Sequence, residues 1–109
     1  MRKAKIFYKD LFAGVLIEDE DGYSFEYNKD YLLRNNPQPI SLTIPISNKI
    51  YKSNILFPFF DGLIPEGWLL DIAQKNWKIT NNDRMSLLLA CCKDCIGAIS
   101  VIPFNNDQL

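Results

Sequence analysis

Between Ala4 and Tyr27 the chain alternates apolar and polar residues, and the alternation breaks at two short polar turns. A period of two is the signature of a strand with one face buried, so this stretch commits the amino end to a sheet. Ala4, Ile6 and Tyr8 fall on one face of a first strand over residues 4–8. A tight turn near Asp10 leads to a second strand, Ala13 to Glu18. Asp21-Gly22 marks a hairpin, because glycine tolerates the positive φ that a short turn demands. Behind it Tyr23, Phe25 and Tyr27 alternate with Ser24 and Glu26. Residues 1–28 therefore predict an antiparallel meander.

The rest of the chain changes character. Residues 28–33 predict one short helix, ended before Pro37. The stretch "ISLTIPI" puts Ile40, Leu42, Ile44 and Ile46 on one face. Pro45 cannot donate to a ladder, so this is expected as an edge strand, a bulge, or an extended segment over the core. From about Ser53 helix takes over. Thr80-Asn81-Asn82-Asp83 fits a capping box, and the helix it opens carries Met85, Leu88, Leu89 and Cys92 on one side. "GAISVIP" predicts a buried closing strand. The expected class is α+β: an antiparallel sheet with three to four helices packed against it. One domain over residues 1–104, with a loose tail at 105–109, accommodates a chain of 109 residues.

The centre of the chain, "LFPFFDGLIPEGWLL", raises the functional question. Phe57, Phe59 and Phe60 have the burial preference of core residues. Pro65 suits the first turn of a helix and Glu66 the positive end of its dipole. Projected at about 100° per residue, Leu69, Leu70, Ala73 and Trp77 form one apolar arc. Trp68 lies roughly 140° from its centre, beside Lys75. Trp77 is therefore expected in the core, whereas Trp68 is either exposed or covered from outside its own helix, the Phe59/Phe60 turn being one such cover. Tryptophan is both a common core residue and an enriched interface anchor, so both readings stand at this point.

Composition narrows the chemistry. The formal net charge is -1, which does not call for nucleic acid or an anionic membrane. The basic amino end (Arg2, Lys3, Lys5, Lys9) and the acidic run Glu18 to Asp21 are expected as solvated surface. Basic residues are not expected to interleave with aromatics on one strand face, as an RNA-binding sheet would require. No apolar run follows the early basic residues, and no stretch is long enough to span a bilayer, so the expected location is cytoplasmic. The three cysteines (Cys91, Cys92, Cys95) do not make a secreted disulfide framework. Cys92 and Cys95 fall at the carboxyl end of the predicted helix, the wrong end for lowering a thiol pKa. With no histidine in the chain, a four-ligand zinc site and a histidine general base are both missing. Five scattered glycines form no phosphate loop. Neither a catalytic residue, nor a metal ligand, nor a cofactor is expected; the positive signal is for an interaction surface.

Three stretches in register, "PQPISLTIPI", "LFPFFDGLIPEGW" and "LLLACCKDCIGAISVIP", resemble the N-terminal domain of HipA-type serine/threonine kinases. The resemblance runs from the first hairpin to Pro103. In that family the residues that bind ATP, Mg²⁺ and substrate lie in lobes beyond this domain, so the resemblance carries over no catalytic residue. The chain is similar to the separate HipS-like proteins of three-gene HipBST systems. There the kinase, HipT, lacks the N-terminal domain, and a helix-turn-helix protein, HipB, is the third component. This implies an antitoxin that binds and inhibits a HipT/HipA-like kinase, with a HipB-like repressor as a further candidate partner. On that reading Asp61, Gly62, Ile64, Pro65, Glu66, Gly67 and Trp68 dock near the kinase active site, with Trp68 as the anchor. The alternative within the family is a detached N-terminal domain that completes or activates a split kinase. Outside it stand a thiol oxidoreductase, which the cysteine placement disfavours, and a direct DNA binder, which the net charge disfavours.

Overall fold

The computed structural model describes residues 1–64, 83–91 and 98–104. Strands β1 (Arg2–Tyr8), β2 (Leu11–Asp19) and β3 (Gly22–Tyr27) form the expected meander. Lys9 and Asp10 both take positive φ, 47° and 69°, which gives a two-residue turn whose twist matches the strands it joins. Between β2 and β3, Gly22 has φ 134°, and a β-carbon there would run into the Ser53 carbonyl. Helix α1 (Lys29–Leu32) follows and buries Tyr31. Then come β4 (Tyr51–Ser53), α2 (Pro58–Asp61), α3 (Arg84–Cys91) and β5 (Ile99–Pro103). The sheet order is β4-β3-β2-β1-β5 with every neighbour antiparallel, so the last strand returns beside the first.

One face of this sheet carries the core. Ala4 and Ile6 of β1, Leu16 of β2, Phe25 and Tyr27 of β3 and Val101 of β5 are buried against Phe60, Met85, Leu87 and Leu88. The alternation in the sequence thus specifies which face the helices cover. Phe25 packs edge-on to Tyr27 at 5.0 Å and meets Phe60 at 5.8 Å, linking the meander to α2.

Several expectations are corrected. Of the three arrangements expected for residues 40–46 the segment over the core is the one observed, but not with all four apolar residues on one face; Ser41 and Ile44 make an isolated bridge around a turn. Ile40 and Ile44 are buried, but Leu42 is 95% exposed at the turn. The cause is tertiary: the Tyr27 hydroxyl donates to the Ile44 carbonyl and accepts from the Ile40 N–H at 3.1 Å. The segment lies over the core as an extended cover pinned at two points. The short edge strand β4 falls just where helix was expected to begin. The acidic run is not all solvated: Glu18 accepts from Arg2 Nε at 2.5 Å and from the Tyr23 hydroxyl at 3.1 Å. Basic and aromatic residues do share a strand face, since Lys3, Lys5 and Phe7 alternate with the buried Ala4 and Ile6 on β1.

Arg2 also reaches α3. Its guanidinium donates to Asp83 Oδ1 at 2.8 Å and to Ser86 Oγ at 2.5 Å. Asp83 precedes the first residue of α3 and accepts from the Ser86 N–H at 3.2 Å, the geometry of a helix cap. Asp83 is therefore itself the cap of α3 rather than the third-position acid of the expected Thr80–Asp83 box; Thr80 lies outside the described residues. Leu87 joins Met85 and Leu88 in the core, with Leu89 half-buried. The expected positions of Trp77, Cys92 and Cys95, and the loose tail at 105–109, also lie outside the described residues.

Candidate functional site

The candidate docking segment starts from a rigid base. Pro58 opens α2 at its first position, where a missing N–H costs nothing. The helix lasts one turn, and Phe60 is fully buried with Phe57 at 6.1 Å and Phe59 at 5.2 Å. Three successive backbone bonds carry the chain out of it: Gly62 N–H to the Pro58 carbonyl (2.9 Å), Leu63 to Phe60 (3.0 Å) and Ile64 to Asp61 (3.2 Å). Residues 58–64 are consequently held from below by aromatic packing and along their length by backbone bonds.

Of the residues singled out in the sequence, Asp61 is half-exposed at the end of α2, and Gly62 is exposed. Ile64 is 3% exposed, so its side chain fastens the segment to the core. Pro65, Glu66, Gly67 and Trp68 lie outside the described residues.

Asp61 has an intramolecular partner that sequence reasoning missed. Its Oδ1 accepts from Arg84 Nε at 2.7 Å, tying α2 to the first residue of α3. The two residues are 23 apart in the chain, and no local pattern signals the pairing. Beside this ion pair, Ile55, Leu56 and Pro58 line a shallow depression with Asp61 and Arg84. Ile55 is 67% exposed there. An exposed apolar side chain, an exposed proline and a fixed ion pair on one surface suit contact with another protein better than chemistry. Among the described residues, no group of three or more His, Cys, Asp or Glu side chains is placed to hold a metal ion. Among them, too, no helix is long and apolar enough to cross a membrane.

The model of the HipA N-terminal domain matches residues 4–102. The chain belongs to the HipA N-terminal domain family. It is similar to a solved structure of the N-terminal domain of HipA toxin, with a TM-score of 0.74 and 32% identity. That match covers 96% of this chain and 94% of the other, and it includes the five-stranded antiparallel sheet with its helices. An uncharacterized protein of Haemophilus influenzae is 36% identical over 101 residues, or 93% of this chain and 92% of that protein.

Proposed function

We propose that this HipA N-terminal-domain protein is an antitoxin that binds and inhibits a HipT/HipA-like serine/threonine kinase. The observation that carries the reading is the extent of the family match. Residues 4–102 match the HipA N-terminal domain from the first strand to the last. The match to the Haemophilus influenzae relative covers 92% of that protein's length. In this reading the domain works by contact with a kinase in the same cytoplasm. A HipB-like repressor is a candidate third member of the assembly.

In this reading the Asp61–Trp68 segment docks near the kinase active site, on the base that Phe60, Ile64 and the Asp61–Arg84 pair provide. Trp68 is the anchor. Burying an indole removes a large apolar area from water, and such anchors dominate interface energetics. Pro65 stiffens the segment, Gly67 allows close approach, and Asp61 and Glu66 face basic groups of a phosphate-handling cleft.

Trp68→Ala is the direct test, with binding and inhibition assayed separately on protein whose fold is checked by circular dichroism. The expected result is binding weakened about thirtyfold or more, the loss of one hot-spot residue, with inhibition lost in parallel. A well-folded variant that inhibits at the wild-type concentration would remove the anchor. Co-expression separates this reading from a detached activating domain: an antitoxin restores growth, whereas an activating domain deepens toxicity.

A further inference from the structure

The face of the sheet opposite the core has a composition of its own. Strand pairing places Lys3 beside Ile17, and Lys5 between Val15 and Ile102. Phe7 pairs with Phe12, their rings 5.7 Å apart. Phe104 continues the line past β5, its N–H donating to the Lys3 carbonyl at 3.3 Å. Lys3 and Lys5 stand over its ring, 6.0 and 5.3 Å from the centroid. Phe7, Phe12, Val15, Ile17, Ile102 and Phe104 are only half-buried, and among the described residues none of them packs on the core.

The charge on this face is mixed toward β3 and β4, where Lys52 shares a depression with Asp19 and Asp21, and basic along β1. Lys3 and Lys5 have no ion-pair partner among the described residues, and Lys52 lies exposed in the same row through Ser24 and Ile17. Two acidic side chains share this face among the described residues of the ladders, Glu26 beside Val15 and Asp19 opposite Gly22 at the end of β2. In a chain of net charge -1, the β1–β5 side of this face is thus positive around Lys3 and Lys5, with apolar side chains beside them. On β1 the lysines are spaced two apart, so they point the same way.

We infer that this outer face is a second docking surface, separate from the Asp61–Trp68 segment, for a protein segment that presents acidic side chains around an apolar stripe. Charge complementarity sets the partner's sign, and half-buried Val15, Ile17 and Ile102 supply the apolar contact. RNA fits less well. Base stacking needs open ring faces, and here Phe7 and Phe12 meet each other while Phe104 lies under the lysines. Three lysines offset by two carboxylates, Asp19 and Glu26, also neutralise few phosphates. The inference does not depend on the proposed kinase partner.

The test uses the full chain and three fluorescent probes: an amphipathic helical peptide with a leucine stripe flanked by glutamates, the same peptide with lysines for glutamates, and single-stranded oligouridine. Anisotropy titrations at low salt, with amide chemical shifts mapped on the protein, give affinity and location. The acidic peptide is expected to bind about tenfold more tightly than its basic counterpart, the scale of a few exposed charge pairs. The shifts should centre on Lys3, Lys5, Val15, Ile17 and Ile102. Lys3→Glu with Lys5→Glu should reverse the preference, and Lys3→Gln with Lys5→Gln should abolish it with the circular dichroism spectrum unchanged. Equal affinity for the two peptides, no binding of either, shifts located elsewhere, or tighter binding of oligouridine would each overturn the inference.

Discussion

The hydroxyl of Tyr27 works in two directions. It donates to the Ile44 carbonyl and accepts from the Ile40 N–H, fastening the 40–46 cover to β3. Burial pushes its pKa up to about 12, because the ionised phenolate would lose hydration, and the neighbouring Tyr31 and Tyr51 oppose a second negative charge. Tyr27→Phe removes the hydroxyl and keeps the ring against Phe25. The buried Ile40 N–H then has no partner, so the variant should lose about 1–3 kcal/mol in urea unfolding at neutral pH. The pH dependence follows from the raised pKa. The folded state favours the protonated phenol, so this contribution is whole below the ordinary tyrosine value of 10.0 and is lost as pH rises toward about 12. Wild-type stability should fall across that window, and Tyr27→Phe should show a shallower alkaline decline. Equal decline in both proteins would show that another group governs the alkaline limb.

At the scale of elements, the sequence was readable where a local pattern decides and silent where a distant side chain does. β1 and β3 follow from alternation, β5 from the apolar run "GAISVIP", and the turns between strands from Asp10 and Gly22. Residues 40–46 look like a strand by period, but Tyr27 and the turn at Ser41 override the pattern. β4 is only three residues long, too short for a period to register. The candidate site divides in the same way. The aromatic base and the turn at Asp61-Gly62 were legible, whereas the Arg84 partner of Asp61 was not. Helix α3 gives the element-scale prediction. Arg2 hydrogen bonding, joined by bonds from Ser86, holds the Asp83 carboxyl below its ordinary pKa. A depressed carboxyl stabilises the fold above the ordinary carboxylate range, and that stability is lost as pH falls through the folded value. Asp83→Ala should cost about 1 kcal/mol at neutral pH, the usual worth of a helix cap, and should flatten the acid limb of thermal unfolding. A melting temperature unchanged at neutral pH would mean that the clamp is idle.

At the scale of the molecule, the HipA N-terminal domain is a sheet with two unlike faces. Its core face is covered by helices and by residues 61–64, which Ile64 and the Asp61–Arg84 pair fasten in place. Its other face carries lysines around an apolar stripe. Such a layout suits a protein whose work is contact, and the central claim is that the contact silences a kinase. The measurement that meets this claim most directly is the autophosphorylation rate of a purified HipA-like kinase lacking its own N-terminal domain. It should be recorded with and without this protein after a pull-down has established that the two associate. The account predicts association and a rate that falls to background as the protein is titrated to equimolar amounts. Association with an unchanged or raised rate, or no association at all, would contradict it.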